Sequence, residues 1–277
     1  MATVRDMLRE GAKNLPGDEA RRETALLLRH ALGVSDAWLI AHGNDAIDAP
    51  QAAAFRGLVE RRSRGEPVAY LVGTRGFHDL ELEVTSEVLI PRPETELLVD
   101  CALQRIPVEV DCRVADLGTG SGAIALAIAK ARPRARVLAT DASRAALAVA
   151  RRNAAHNAIA NVTFAQGDWC EALGDACFDV IVSNPPYIAD GDPHLREGDL
   201  RFEPRTALAS GADGLDAIRV IARDARAHLL DGGWLLLEHG FDQGEAVHGL
   251  FDVHGYAEVF TEHDLEGRER VSGGRSV

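Results

Sequence analysis

The segment RVADLGTGSGAIALAIAK, residues 113–130, decides the fold of this chain. Its first five residues are mostly apolar, which is typical of a short buried strand. Glycine then stands at every second position from Gly118 to Gly122, which predicts a tight turn because glycine adopts backbone conformations that other residues avoid. The alanine-rich run after the turn predicts a helix. A strand, a glycine turn and a helix form the opening unit of a nucleotide-binding α/β fold.

The spacing of the three glycines narrows the class of ligand. Dinucleotide-binding proteins use G-x-G-x-x-G, which seats a pyrophosphate on a helix N-terminus. The spacing here is G-x-G-x-G, with Thr119 and Ser121 between the glycines. This tighter form resembles the turn of S-adenosylmethionine-dependent methyltransferases, whose cofactor has no phosphate. A purely structural turn is the alternative.

Two further strand ends carry groups suited to a nucleoside. Residues 136–140 predict a strand that ends at Asp141, about 20 residues after the glycines, where an acid accepts hydrogen bonds from ribose hydroxyls. Residues 161–166 predict another strand, followed by Asp168 and Trp169. The carboxylate can accept from an adenine amine, and the indole offers a face for the ring. The simpler alternative is a turn acid beside a packed tryptophan.

The run SNPPY, residues 183–187, follows an apolar stretch that predicts a buried strand. Its two prolines exclude helix and sheet pairing and restrict the residues before them. The loop therefore holds the Asn184 side-chain oxygen and the Pro185 carbonyl in fixed directions. Two fixed acceptors beside an aromatic ring suit the binding of both hydrogens of a planar –NH2 group. The alternative is that Asn184 only caps the strand end.

Charge and composition limit the partners. The chain has 277 residues and a net charge of −13, and the whole negative excess lies after the first 75 residues, which makes DNA or RNA a poor electrostatic match. The apolar runs are too short for a membrane span, and the N-terminus lacks an export pattern. The four cysteines show no metal or disulfide framework. We expect a cytoplasmic monomer with reduced thiols, no metal and no stable nucleic-acid binding.

Hydrophobic periodicity divides the chain into three segments. Residues 1–75 predict a small helical bundle, because apolar residues recur at helical spacing between glycine and proline breaks. Residues 76–92 predict a β-hairpin connector, since apolar and polar residues alternate there. Residues 93–277 predict a domain of alternating strands and helices. Such alternation implies an α/β fold with a doubly wound, mostly parallel sheet.

The C-terminal part of the third segment contributes more predicted elements. They are a helix, a strand, a helix and a strand, at residues 213–230, 234–238, 241–251 and 256–261. Gly232 and Gly233 are expected to end the first of these helices. The glycine- and serine-rich residues after Val271 are interpreted as a low-complexity tail.

The motifs together resemble those of the bacterial peptide chain release factor glutamine methyltransferases, the PrmC/HemK family. The resemblance covers nearly the whole chain. Besides the glycine turn and the SNPPY run, it rests on IPRPETE at 90–96, GDW at 167–169, FEPRTAL at 202–208 and GRERV at 267–271. Loops like SNPPY occur in many amino-methyltransferases, whereas IPRPETE and FEPRTAL are much more specific to this family.

The resemblance implies a class I methyltransferase fold and an activity. The enzyme would transfer a methyl group from S-adenosyl-L-methionine to the side-chain amide nitrogen of the glutamine in the Gly-Gly-Gln motif of translation release factors. The products would be N5-methylglutamine and S-adenosylhomocysteine, and the helical N-terminal part would help to dock the protein substrate. The implied cofactor-binding residues are Gly118, Thr119, Gly120, Ser121, Gly122, Asp141, Asp168, Trp169 and Asn184. The implied substrate-binding residues are Asn184, Pro185, Pro186 and Tyr187, with Asn184 and Pro185 catalytic.

Two other functions remain open from the residues alone. An amino-methyltransferase acting on a base of DNA or RNA needs the same loop, because an aromatic amine is also planar with two hydrogens. Such an enzyme is expected to have a basic groove, and the acidic charge and the FEPRTAL segment count against it. The second alternative is a non-catalytic cofactor-binding protein, which a turnover assay would identify.

Overall fold

The computed structural model describes residues 2–277 and divides into two compact units, the first ending at Thr74 and the second running from Arg75 to Val277. The first unit is helical. Its helices are Val4–Asn14 (α1), Ala20–Leu32 (α2), Asp36–Ala41 (α3), Ala49–Ser63 (α4) and Val68–Val72 (α5). Thr3 begins α1 with a capping box, in which Thr3 and Asp6 satisfy each other's backbone N–H groups. Apolar side chains from all five helices form one buried cluster, which includes Met7, Leu27 and Phe55.

A hairpin of Thr74–Phe77 (β1) and Leu80–Glu83 (β2) begins at the last residue of the first unit, and the second unit is built on a seven-stranded sheet. The strands of the sheet are Arg113–Leu117 (β3), Arg136–Asp141 (β4), Val162–Gln166 (β5), Phe178–Ser183 (β6), Leu229–Glu238 (β7), Ala257–His263 (β8) and Glu269–Arg275 (β9). Their spatial order is β5-β4-β3-β6-β7-β9-β8, and the first five of these are parallel. β9 is antiparallel to both β7 and β8. The predicted doubly wound, mostly parallel sheet is therefore confirmed.

Helices cover both faces of this sheet. They are Glu96–Arg105 (α6), Ala123–Ala131 (α7), Arg144–His156 (α8), Asp216–Asp224 (α9) and Gly244–Val253 (α10). Successive residues of β3 point to opposite faces, so Val114 packs with α6 and α7 while Ala115 packs with α9 and α10. Strand order reverses between β3 and β6, because β4 lies on one side of β3 and β6 on the other. Ligands of such folds bind at this reversal, beyond the carboxyl ends of the strands.

The predicted helix at 213–230 is wrong in its extent. Helix α9 ends at Asp224, a 3₁₀ turn follows at Ala225–His228, and β7 already begins at Leu229. Gly232 and Gly233 do not end a helix but lie inside β7, where the pairing with β6 shifts register. A Cβ on Gly233 would lie 2.9–3.1 Å from three backbone oxygens, so glycine is required by the close approach of the two strands.

The low-complexity interpretation of the tail after Val271 is also wrong. These residues form most of β9, which lies between β7 and β8 inside the sheet. A Cβ on Gly273 would overlap the Phe260 ring, and one on Gly274 would lie 2.8 Å from the Cβ atom of Tyr256. Glycine therefore occurs here because aromatic side chains occupy the space on both faces of the strand. The helix predicted at 241–251 and the strand predicted at 256–261 are both present, as α10 and β8, with shifted ends.

Candidate active site

A cavity of about 480 Å³ lies in the second unit at the carboxyl ends of β3, β4 and β6. It brings together most of the residues singled out in the sequence. Those in its lining are Gly118, Thr119, Gly120, Ser121, Asp141, Asp168, Trp169, Asn184 and Pro186. Gly122, Pro185 and Tyr187 are not part of the lining. Pro185 is buried.

The glycine turn between β3 and α7 is shaped by left-handed backbone conformations. The φ angles of Gly118, Gly120 and Gly122 are 72°, 56° and 86°. A Cβ on Gly120 would meet no atom within 4 Å, so the turn leaves open space in the cavity. A Cβ on Gly122 would instead lie 3.2 Å from the Cβ of Ala150. Gly122 therefore allows α7 to begin close against α8, and its role in this structure is packing.

Two acids, Asp141 and Asp116, accept hydrogen bonds from the glycine turn. Asp141 accepts hydrogen bonds from the backbone N–H groups of Gly120, at 2.9 Å, and Ser143, at 2.8 Å, and burial raises its pKa. Asp116, the fourth residue of β3, is fully buried and accepts from the Thr119 hydroxyl at 2.6 Å. Burial raises the pKa of Asp116 to about 7. Sequence reasoning quoted Asp116 in a motif but gave it no role.

Trp169 forms one wall of the cavity. Its indole lies over Gly118, where an added Cβ would be 3.2 Å from ring atom Cζ3. The φ angle of Trp169 is 42°, an unusual value for a residue with a side chain. A strained backbone that presents a large ring to a cavity is typical of a binding site. Asp168 beside it is exposed, so its carboxylate is accessible to a ligand.

The Asn184 side chain is held by a residue that sequence reasoning did not identify. Its Nδ2 donates a hydrogen bond to Thr95 Oγ1 at 3.0 Å. Thr95 is buried, ends a 3₁₀ turn at Pro93–Thr95 and lines the cavity. Within residues 2–277, the Asn184 side-chain oxygen accepts no hydrogen bond. Asn184 is thus anchored through its amide nitrogen, and its oxygen stays available to a ligand.

Tyr187 fastens the SNPPY loop to the core. Its hydroxyl donates to Glu238 Oε1 at 3.3 Å, and its ring belongs to the cluster of α9 and α10. Its carbonyl accepts from Gln243 Nε2 at 3.0 Å. Burial raises the pKa of the Tyr187 hydroxyl, which therefore stays protonated and a donor. The ring is not part of the cavity lining, and its contact with the substrate amide stays a prediction.

Glu238, the last residue of β7, lies beneath this loop. It is 1% exposed, and burial raises its pKa to about 7. The neighbouring hydroxyls of Thr95 and Tyr187 and the positive charge of Arg270 act on this pKa in the opposite direction. Its Oε2 has no hydrogen-bond partner among the described residues. The sequence could have identified Glu238 as a candidate site residue. Like Asp116, it is an acid near the carboxyl end of a buried strand.

Two of the quoted motifs meet at the rim of the cavity. Glu203 has a fully buried side chain that is paired with Arg92. It also accepts a hydrogen bond from the backbone N–H of Ile90 at 3.0 Å. Pro91 and Pro204 both line the cavity beside this contact. The IPRPETE and FEPRTAL motifs therefore form one rim, which their 113-residue separation in sequence did not suggest.

Residues 2–277 contain no group of three or more potential metal ligands and no helix long and apolar enough to cross a membrane. All four cysteines are free thiols in this structure, and burial raises the pKa of Cys101 to about 11 and of Cys112 to about 12.

Each of the two units contains a segment that matches a known family model. The family model described as the PrmC N-terminal domain matches residues 6–73, and the model described as the methyltransferase small domain matches residues 93–197. Among solved structures, the Thermus thermophilus 16S rRNA N2 G1207 methyltransferase, in complex with AdoMet and guanosine, matches with a TM-score of 0.56. The match covers 74% of this chain and 50% of that one, at 20% identity, and so supports the fold alone.

Curated relatives are similar over almost their whole length. The release factor glutamine methyltransferase of Xylella fastidiosa (strain Temecula1) is 57% identical, covering 92% of this chain and 93% of the relative. The protein of the same name from Escherichia coli (strain K12) is 46% identical, covering 97% of each chain. This chain belongs to the family of release factor glutamine methyltransferases.

Proposed function

We propose that this protein transfers a methyl group from S-adenosyl-L-methionine to the side-chain amide nitrogen of a glutamine in translation release factors. The observation that carries the proposal is the anchored Asn184, whose oxygen stays available in a cavity suited to the cofactor. The two relatives described above carry this activity in their names and are 57% and 46% identical. The resemblance further suggests the Gly-Gly-Gln glutamine as the target and the helical first unit as a docking element. The cysteine content and composition favour action as a cytoplasmic monomer.

The residues of the cavity fit the proposed cofactor. Its volume is within the range of small-molecule sites. Three acids line it, Glu87, Asp141 and Asp168, against a single basic residue, Arg92, which already pairs with Glu203. This charge favours a cationic ligand over a pyrophosphate. The cofactor would lie along the open side of Gly120, with its ribose at Asp141 and its adenine beside Trp169. When bound, S-adenosyl-L-methionine supplies an electrophilic methyl group on a positively charged sulfur.

The protein's contribution to the reaction is mainly positioning. A glutamine amide nitrogen is a poor nucleophile, because its lone pair is delocalised into the carbonyl. The Asn184 oxygen and the Pro185 carbonyl would accept its two hydrogens, which favours a pyramidal nitrogen and aims the lone pair at the methyl group. Positioning can lower a barrier by about 7–11 kcal/mol in well-oriented systems. Fixed acceptors also stabilise the positive charge that develops on the nitrogen. No strong base is required beforehand, because the remaining proton becomes acidic after transfer.

A labelling experiment tests this function. The purified protein is incubated with methyl-labelled S-adenosyl-L-methionine and a release factor, and in parallel with a release factor carrying Gln→Ala in its Gly-Gly-Gln motif and with bulk RNA. We expect label in the unmodified release factor alone. Label in the RNA would indicate a base methyltransferase instead. Equal label in the Gln→Ala protein, or none in any sample, would contradict the proposal.

A further inference from the structure

We propose that Gln243 positions the SNPPY loop for methyl transfer by holding the backbone carbonyl of Tyr187. The inference rests on the proposed function, because this loop carries the two acceptors assigned there to the glutamine amide. Gln243 does not line the cavity, so it is a positioning residue that acts through the loop. From the sequence it was expected only as part of a helix at 241–251.

The side-chain amide of Gln243 bonds three backbone groups, which together admit one orientation. Its oxygen accepts from the N–H of Gly240 at 2.9 Å. Its –NH2 group donates to the carbonyl of Tyr187 at 3.0 Å and to that of Asp213 at 3.3 Å. Only the nitrogen of an amide can donate, so a half-turn would set an oxygen against two carbonyl oxygens and an –NH2 group against an N–H. The direction of this side chain is therefore fixed.

The three backbone groups belong to different loops of the second unit. Gly240 follows β7 and Tyr187 follows β6, and these two strands are parallel, so both loops lie at the same carboxyl edge of the sheet. Asp213 belongs to the segment that leads into α9. In that segment Gly214 has a φ angle of 80°, and a Cβ on it would overlap the Tyr187 carbonyl. The Tyr187 carbonyl thus lies close to both the Gln243 side chain and the Gly214 backbone.

The peptide unit that joins Tyr187 to Ile188 is held by two hydrogen bonds. Its N–H, from Ile188, donates to the Leu208 carbonyl at 2.9 Å. Its C=O, from Tyr187, accepts from Gln243. A planar peptide held by one bond can still tilt about it, whereas bonds on opposite sides fix its direction. The bond from the Tyr187 hydroxyl to Glu238 holds the ring and not this peptide plane.

The stiffness of the loop carries this constraint back to the proposed acceptors. Each of its two prolines fixes φ near about −65° and has no N–H, so the span between Asn184 and Tyr187 has few free rotations. One end of the span is attached where Asn184 bonds Thr95, and the other where Tyr187 bonds Gln243. The Pro185 carbonyl lies between the two attachments. Releasing the Gln243 end should therefore turn both acceptors away from their fixed directions.

The test compares Gln243→Met, which keeps a similar volume and removes all three hydrogen bonds, with Gln104→Met as the matched control. Gln104 is exposed near the C-terminal end of α6, whereas Thr95 precedes the first residue of that helix. We measure kcat and KM with a release factor, the Kd of S-adenosylhomocysteine by calorimetry, and thermal unfolding. Wild-type protein that does not methylate the release factor would refute the proposed function itself.

With active wild-type protein, we expect Gln243→Met to lower kcat by about 10-fold or more, because small displacements of catalytic groups cost rates on this scale. KM and the cofactor Kd should change less than about threefold, since the loss concerns alignment in the transition state. Gln104→Met should match wild type. A Gln243→Met kcat within about twofold of wild type, or a change confined to KM, would overturn the inference.

The Asn184→Ala background distinguishes positioning from a general loss of stability. If Gln243 acts through the acceptors of the loop, its substitution should matter less once one acceptor is absent. We expect the fold-change in kcat caused by Gln243→Met to be at least about threefold smaller in Asn184→Ala than in wild type, because residues that act through one another are not additive. Single-turnover assays measure both values. Equal fold-changes in the two backgrounds would overturn the inference.

Gln243→Glu provides a second variant that serves if Gln243→Met fails to fold. It keeps an oxygen for the Gly240 N–H but sets a carboxylate oxygen against the carbonyls of Tyr187 and Asp213, where two donor hydrogens are needed. We expect its kcat to lie about 10-fold or more below that of Gln104→Glu, which introduces the same charge on α6. Equal kcat in these two variants would overturn the inference independently.

Discussion

The Glu203 carboxylate accepts a hydrogen bond from the backbone N–H of Ile90 at 3.0 Å, across 113 residues of sequence. The same carboxylate pairs with Arg92, and its side chain is fully buried. One acid thus fixes both the backbone and a side chain of the IPRPETE segment. The cavity depends on this contact, because Pro91, Arg92 and Pro204 contribute to its wall.

Replacing this acid should loosen the rim. Glu203→Ala leaves the Ile90 N–H and the Arg92 guanidinium without their partner, so we expect the free energy of unfolding to fall by about 2–4 kcal/mol. Glu203→Gln keeps an acceptor for Ile90 and should lose less. Urea denaturation of the three proteins measures the difference. Equal midpoints for Glu203→Ala and wild type would contradict the importance of the contact.

Removing the Asn184 amide should separate binding from catalysis. Asn184→Ala eliminates the acceptor proposed for the glutamine hydrogens, while the glycine turn, Asp141 and Trp169 stay in place. We expect the cofactor Kd to stay within several-fold of wild type and kcat to fall at least about 100-fold. Calorimetry and single-turnover assays provide the two values. Near-normal turnover would exclude the assigned role.

Asp141 should behave in the opposite way. Asp141→Ala removes the proposed ribose acceptor and also the partner of the Gly120 and Ser143 N–H groups, so the glycine turn loses support. We expect the Kd of S-adenosyl-L-methionine to rise by about 10-fold or more, since an unpaired buried donor costs about 1–3 kcal/mol. Binding titrations measure this change. A Kd equal to that of wild type would place the ribose elsewhere.

Trp169 offers an optical measurement of cofactor binding. The chain contains three tryptophans, and Trp169 alone among them lines the cavity. We expect S-adenosyl-L-methionine to change the intrinsic fluorescence of wild type and of Trp38→Phe, whose ring stacks on His42 in the first unit. Trp169→Phe should lose most of the change, because an adjacent adenine ring would no longer contact an indole. A signal that persists in Trp169→Phe would argue against adenine at this position.

Asp116 should make the fold sensitive to pH. Burial raises its pKa to about 7, so the folded state holds this proton more tightly than the unfolded chain does. Its contribution to stability is fully present below the unfolded pKa of about 4 and is lost as pH rises toward 7. Asp116→Asn cannot ionise and should weaken the fall in unfolding free energy over this range. Part of this fall should remain in Asp116→Asn, because the pKa of Glu238 is also raised to about 7. Denaturation series at several pH values measure the slope, and an identical slope in both proteins would contradict the prediction.

The sequence was sufficient for the elements that follow local rules. Strand β3, the glycine turn and α7 were predictable because their composition, glycine spacing and apolar pattern agree with one another. The ends of β4 and β6 were predictable for the same reason, and these three strand ends locate the cavity. Asp141, Trp169 and Asn184 therefore converge as expected in its lining.

What could not be predicted depends on contacts between distant segments. Gly233 and Gly273 resemble breakers of structure, yet backbone oxygens and the Phe260 ring require the absence of a side chain there. The partnership of Asn184 with Thr95 spans 89 residues, and no local pattern encodes it. The ring of Tyr187 packs against the core and its hydroxyl donates to Glu238, 51 residues away, a contact that no local pattern encodes.

The fixed direction of the Asn184 amide has a consequence for how many methyl groups one glutamine receives. An unmodified amide offers two hydrogens to the two proposed acceptors. After one transfer and loss of a proton, the nitrogen offers only one hydrogen, and its new methyl group occupies the place of the other. A buried acceptor without a donor is unfavourable, and the Asn184 side chain cannot turn to present its –NH2 group while Thr95 holds it. The same hydrogen bond that aligns the first transfer should therefore oppose a second, so that the modified side chain leaves with a single methyl group.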